Sequence, residues 1–269
     1  MSKQASKFIG SIPENYDRFL GPLIFHDFAD DVAQRVLDLG PSKVLELAAG
    51  TGIVTRRLRD RLPDDCLIIA TDLHPPMLDV AKSKFQSGEN VHFESADANQ
   101  LPYDASGFDT VACQFGVMFF PDKQRSYDEV FRILKPGGHY VFNVWGSLKS
   151  NPFAEIAHET VTAFFPEDPP GFYRVPFGYN DATAIDKSLV DAGFSEVSIE
   201  TLEITSEIPS PSEFAMGLVF GNPLFEEIVS RGGEPDKVRS AVSDALERQL
   251  GVNMPLQALV IVAKKPKSD

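Results

Sequence analysis

Cysteine is scarce in this 269-residue chain. The only two, Cys66 and Cys113, each sit in apolar surroundings, which excludes a disulfide framework and reads as two buried strand thiols. Neither they nor the five histidines cluster with metal-ligand spacing, so no metal is expected. Positive charge is also short. Lys and Arg number 25 against 39 Asp and Glu, a formal net charge of −14. Nucleic-acid binding draws on phosphate neutralisation, so nucleic acid is not an expected partner. The single basic cluster, Lys264, Lys265 and Lys267, reads as a solvated tail. No apolar run approaches the roughly 20 residues that span a bilayer. The opening residues MSKQASKFIGSIPENYD lack the apolar core of a secretory signal. The expectation is a soluble, cytoplasmic protein with no stable membrane insertion, with room left for a homodimer.

What is present is an alternation of short apolar strands and amphipathic helices, with 43% hydrophobic and 24% charged residues. Residues 1–22 read as irregular, and Ile24–Leu39 has helical spacing before Gly40-Pro41 stops it. Strands follow at Val44–Leu47, Cys66–Thr71, Val91–Glu94, Phe108–Phe115 and His139–Val144, the last after a Pro136-Gly137-Gly138 turn. Helices are expected at Ile53–Leu62, Pro76–Phe85 and Lys123–Leu134. Such βα repeats predict an α/β fold, a doubly wound parallel sheet covered on both faces. Beyond Trp145 the regularity breaks. Prolines and aromatic residues crowd 147–180 behind a helix at Pro152–Phe164. A helix at Asp181–Ala192, a strand at Glu196–Ile204, two or three helices over 209–253 and a final strand at Leu256–Ala263 complete the chain. The reading is one domain: an N-terminal helical segment 1–40, a core of 41–146, 181–204 and 256–264, and lid insertions at 147–180 and 209–253.

Its most informative stretch is Lys43–Gly52, an apolar run that ends in an acid and breaks into small residues before a helix. Glycine there permits positive φ and close approach of a ligand, and the helix beyond offers free N–H groups. Glu46 lies where a dinucleotide's pyrophosphate would rest. A carboxylate repels phosphate and attracts an ammonium or sulfonium. In an open α/β sheet the ligand lies beyond the carboxyl ends of the strands, and each strand ends usefully. Asp72 stands twenty residues past Gly52, the place of an acid that binds ribose hydroxyls, or of a helix cap before Pro75-Pro76. Asp97-Ala98 can face an adenine amine or simply form a turn. Gln114-Phe115-Gly116 can cover a ligand, or Phe115 can pack the core.

Together these motifs resemble the class I S-adenosylmethionine-dependent methyltransferases, and are similar to the ubiquinone- and menaquinone-type and small-molecule branch. Glu46-Leu-Ala-Ala-Gly-Thr-Gly52 matches the family's first motif, with Ala48 where glycine is common. Asp72, Asp97-Ala98 and Leu134-Lys-Pro-Gly-Gly138 match its later motifs in order and spacing. The resemblance covers residues 14–145 well and the final strands more loosely. It implies a Rossmann-like seven-stranded sheet whose last strand runs antiparallel, and S-adenosyl-L-methionine as cofactor with S-adenosyl-L-homocysteine as product. It implies cofactor contacts from Tyr16, Glu46, Ala48, Gly50, Thr51, Gly52, Asp72, Leu73, Met77, Asp97, Ala98, Gln114 and Phe115. Tyr16 would close over the cofactor, or merely pack a terminal segment.

Methyl transfer from a sulfonium is an in-line displacement that asks chiefly for alignment and exclusion of water. No convincing base stands out. His158, near Glu155 and Glu159, is the candidate proton acceptor, with a surface role as the alternative; His26 and His139 read as structural. Gly116, Trp145, Phe172, Tyr173 and Phe220 are the expected acceptor pocket, with Phe153, Phe177 and Phe225 adding to an apolar roof or forming the insertions' own core. The expectation is methyl transfer at O, N or C of a small, hydrophobic metabolite. A nicotinamide-dependent oxidoreductase and a non-catalytic cofactor-binding protein remain as alternatives. A fatty-acid cyclopropanating relative is a lesser one, for want of a clear carbonate-binding set.

Overall fold

The computed structural model describes residue 8 and residues 10–267. Seven strands form one sheet: β1 (Lys43–Glu46), β2 (Leu67–Asp72), β3 (Val91–Ser95), β4 (Phe108–Gln114), β5 (Leu134–Trp145), β6 (Ser195–Glu207) and β7 (Asn253–Lys264). Their order is β3-β2-β1-β4-β5-β7-β6. The first five strands pair in parallel, and β7 runs antiparallel to both β5 and β6. The expected seven-stranded sheet with an antiparallel last strand is therefore present. Strands β1, β2 and β4 are buried along nearly their whole length, as apolar parallel strands covered on both faces must be. Edge strand β6 alternates half-buried and exposed residues.

Helices α3 (Ile53–Arg61) and α4 (Pro75–Lys82) cross over in one direction from β1, and α5 (Lys123–Ile133) in the other. Right-handed crossovers therefore put α5 on the opposite face from α3 and α4. The reversal falls between β1 and β4, and the crevice opens there. Helix α2 (His26–Asp38) packs on α3 and α7 (Ala182–Asp191) on α5. Three helices, α6 (Pro152–Phe164), α8 (Pro211–Phe220) and α10 (Pro235–Gln249), pack on one another above the crevice. The short α9 (Leu224–Ser230) lies between α8 and α10 in the chain.

Three sequence expectations change. Residues 12–25 are not irregular: α1 (Ile12–Asn15) leads into a π-helix over Tyr16–Phe25 that contains Pro22. Pro22 has no N–H to donate within a helix. The wider turn goes on past it, the His26 N–H donating to the Gly21 carbonyl five residues back. Residues 1–7 and 9 of the expected N-terminal segment lie outside the described residues. The Pro136-Gly137-Gly138 turn becomes part of β5. Leu134 pairs with Phe108 and His139 with Thr110, so residues 135–138 bulge from the ladder. The basic tail is not free either: the Lys265 ammonium donates to the carbonyls of Phe131 and Leu134, and Lys264 pairs with Glu196. No helix among the described residues is long and apolar enough to cross a membrane.

Candidate functional site

The turn after β1 is held in a left-handed run: Ala48, Gly50 and Gly52 have φ of 50°, 56° and 78°. Gly52 has a second constraint, since a Cβ there would meet that of Ala81 at 2.8 Å. Ala48 has no such licence, and an L-residue in this region is strained by roughly 1–2 kcal/mol. Neighbouring hydrogen bonds hold the strain in place. The Leu47 N–H donates to the Ala112 carbonyl of β4 and the Ala49 N–H to the Thr71 carbonyl of β2, both at 2.8 Å. The Gly50 N–H donates to Asp72 Oδ2 at 2.9 Å, and Asp72 Oδ1 accepts the His74 N–H at 2.8 Å. Asp72 therefore ties the turn after β1 to the end of β2 and to His74, the residue before α4.

Glu46, the last residue of β1, is 1% exposed and its Oε2 has no hydrogen-bond partner. Burial pushes its carboxyl up to about 8; the Asp72 charge adds to the shift and Thr55 opposes it. Glu46 lines a cavity of about 30 Å³ with Tyr16, Ala48, Gly50, Thr51 and Gln114. Gln114 Oε1 is a second buried acceptor without a partner, its amide donating to the Phe25 carbonyl. Two orphaned acceptors beside one small cavity suit a group with several N–H donors, an ammonium above all.

A larger cavity of about 420 Å³ extends from Gly50 and Asp72 to an aromatic chamber. Tyr16 borders both cavities. Its ring stacks on Phe25, and burial, reinforced by Asp72 and Asp17, raises its hydroxyl's pKa and keeps it protonated. Asp97 lines the cavity and accepts the Asn99 N–H at 2.8 Å, so the turn it forms and the face it offers coexist. Phe115 takes a left-handed φ of 49°, its N–H donating to Asn143 Oδ1 at 2.9 Å. Gly116 admits nothing larger: a Cβ would meet the Ala48 Cβ at 2.5 Å and Cys113 Sγ at 2.7 Å. The chamber is closed by Trp145, Phe153, Phe172, Tyr173, Phe177 and Leu218. Tyr173 Oη donates to the Leu218 carbonyl at 3.0 Å. No Lys or Arg lines this cavity among the described residues.

Most of the anticipated residues meet here. Tyr16, Ala48, Gly50, Asp72, Leu73, Met77, Asp97, Ala98, Gln114, Phe115, Gly116, Trp145, Phe172 and Tyr173 line the main cavity, and Glu46 and Thr51 the small one. Gly52 stands behind the turn as the cap of α3. Two expectations fail. Phe220 ends α8 and packs on Phe225 outside the cavity, as the last residue of that helix. His158 lies on α6 away from the lining, its imidazole held below its usual range by burial and by Arg174. Several lining residues were not anticipated: Phe8, His74, Asn99, Met118, Phe119 and Asn222. Asn99 was signalled by its place beside Asp97-Ala98. Buried Asn143, which holds Phe115, was signalled as the one polar residue in YVFNVW. Asn222 had no local signal.

Comparison with known proteins agrees with this geometry. Residues 44–138 match the family described as "Methyltransferase domain". The chain is 34% identical over 139 residues to a demethylmenaquinone methyltransferase of Deinococcus radiodurans, a match covering 50% of this chain and 57% of that one. The chain thus spans about half the length of that relative. It is 26% identical over 276 residues to a malonyl-[acyl-carrier protein] O-methyltransferase of Marinomonas sp., covering 99% and 95% of the two chains. A solved phosphoethanolamine N-methyltransferase 2 of Haemonchus contortus, with S-adenosylhomocysteine, has the same fold at a TM-score of 0.61 and 17% identity, over 97% of this chain and 59% of that one. By its first-motif turn, its strand-end acids and these likenesses, the chain is similar to the S-adenosylmethionine-dependent methyltransferases, with a methyltransferase domain matched over residues 44–138.

Proposed function

We propose that this protein transfers a methyl group from S-adenosylmethionine to a small, apolar acceptor by in-line displacement. The observation that carries the reading is a single cavity with a polar end at Gly50 and Asp72 and an aromatic end at Trp145 and Phe177. The residues present fit the cofactor. The orphaned oxygens of Glu46 and Gln114 suit its ammonium, and Asp72 has the acceptors for two ribose hydroxyls. Asp97, Ala98, Leu73 and Met77 would flank the adenine, and Tyr16 would cover the cofactor between the two cavities. Bound there, the cofactor supplies a methyl group already activated by its sulfonium.

The chain's own part is to bind, align and exclude water. Phe115 and Gly116 directly follow β4 and line the cavity between its two ends, where cofactor and acceptor would meet. Among the described residues no lysine or cysteine lines the cavity, and its one histidine, His74, stands beside Asp72 at the polar end, so the aromatic end is left without a ready base. An acceptor that is itself acidic or already nucleophilic suits such a chamber. The same proposal takes the protein as one domain with two insertions, cytoplasmic, independent of nucleic acid and able to form a homodimer.

Calorimetric titration with S-adenosylhomocysteine, and with NADH as the rival ligand, tests the cofactor assignment. Incubation with methyl-tritiated cofactor and a lipophilic metabolite panel tests the transfer. Binding of NADH without S-adenosylhomocysteine would replace this reading by the oxidoreductase. Binding of S-adenosylhomocysteine with no label transfer to any panel member would leave a cofactor-binding protein. Glu46 weighs against the oxidoreductase, since it would stand beside a pyrophosphate on the same turn.

A further inference from the structure

We propose that Glu227, which lines neither cavity, is a positioning residue that sets the acceptor chamber through Phe172 and Tyr173. The inference rests on the reading that the aromatic end of the cavity takes the acceptor.

Glu227 lies in the first turn of α9 and is 4% exposed. Among the described residues no Lys, Arg or His forms an ion pair with it. A buried carboxylate without a counter-ion is unfavourable unless hydrogen bonds replace its water. Here they do. Its Oε2 accepts the N–H of Gly171 at 2.7 Å and that of Phe172 at 3.2 Å. Both bonds are charge-assisted, and both act at the start of the tight turn Phe172–Arg174.

The local sequence explains why a side chain from another element is needed. Pro169 and Pro170 stand immediately before, and proline offers no N–H. Gly171 and Phe172 are the first backbone donors after them, and Glu227 takes both. Four residues on, at the C-terminal cap of α9, Arg231 donates from Nε to the Asp168 carbonyl at 2.7 Å and pairs with the Asp168 carboxylate at 3.0 Å. The two insertions are thus fastened together at two points one turn apart. The fastened segment carries Phe172 and Tyr173 into the cavity. Phe177 follows, its ring 5.6 Å from that of Trp145. A shift of the segment would therefore widen the chamber and uncover the indole.

Trp145 is the chain's single tryptophan, so its fluorescence reports that wall. The experiment measures acrylamide quenching of Trp145 and S-adenosylhomocysteine affinity in the wild type, Glu227→Ala and Glu227→Gln, each checked for folding by circular dichroism. Glu227→Ala is expected to raise the quenching constant at least threefold while cofactor-product affinity stays within threefold. Glu227→Gln keeps an oxygen acceptor and is expected to quench like the wild type. An unchanged constant in folded Glu227→Ala would overturn the proposal, as would Gln and Ala behaving alike, since a general effect on stability would not separate them. Should Glu227→Ala not fold, Arg231→Ala releases the other fastening and is expected to raise quenching less steeply; no rise there counts equally against the proposal. Failure of the wild type to bind S-adenosylhomocysteine would instead sink the methyltransferase reading, and leaves the Trp145 comparison intact.

Discussion

The rings of Phe115 and Trp145 lie face to face, their centroids 3.9 Å apart and their planes within 7° of parallel. Phe115 directly follows β4 in a left-handed conformation and Trp145 ends β5, so the ends of two adjacent parallel strands are joined through these side chains. Phe115→Ala is expected to destabilise the protein by about 3–5 kcal/mol, the range for truncating a buried Phe. Urea denaturation measures it. A loss below about 1 kcal/mol would mean that the ring is not part of the packed wall.

Asp72 should be decisive for the cofactor. Its carboxylate accepts two backbone N–H groups and is the acid proposed to hold the ribose hydroxyls. Hydrogen bonds to charged groups contribute about 1.5–3 kcal/mol each, so Asp72→Ala is expected to weaken S-adenosylhomocysteine roughly 10- to 150-fold. Calorimetric affinities of the two proteins check it.

The buried acid of the first motif predicts a pH dependence. Glu46 titrates near 8 when folded against an ordinary value of 4.5, so between these values the folded protein keeps a proton that the unfolded chain has released. Its contribution therefore favours the ligand-free fold at low pH and is lost as pH rises from about 5 through 8. An ammonium set beside Glu46 favours the ionised form, so binding S-adenosylhomocysteine at pH 7 should release a proton. Titration in two buffers of different ionisation enthalpy detects the release, and Glu46→Gln should abolish it.

Ala48 and Gly116 form a matched pair. Gly116→Ala would force a Cβ within 2.5 Å of Ala48 and should destabilise by about 1–3 kcal/mol, as overpacking does. Ala48→Gly relieves the strain of a left-handed alanine and should stabilise by up to about 1 kcal/mol. Thermal midpoints of the two variants should move in opposite directions.

Much of the first half of the sheet could be read along the chain. Strand, turn and helix around Gly50 follow one another within twenty residues, and short-range spacing reports such units directly. Acids at strand ends were equally plain, because topology sends every parallel strand's carboxyl end to the same edge. Reading failed where local signals misled. Residues 1–22 read as irregular, yet a π-helix runs over Tyr16–Phe25. Phe220 and His158 looked like pocket residues by composition, but the side of a helix that faces a cavity depends on what packs against it.

By itself, the sequence determined the βα order, the small-residue turn and the acids at or just beyond the ends of β1, β2 and β3, because each depends on a few consecutive residues and on chain handedness. Only the tertiary structure decided that Glu46 is buried with a free oxygen, that Phe115 turns left-handed onto Trp145, and that Glu227 reaches across to Gly171 and Phe172. Those relations join residues dozens of positions apart, so desolvation and packing of separate elements set them, and no local pattern encodes them.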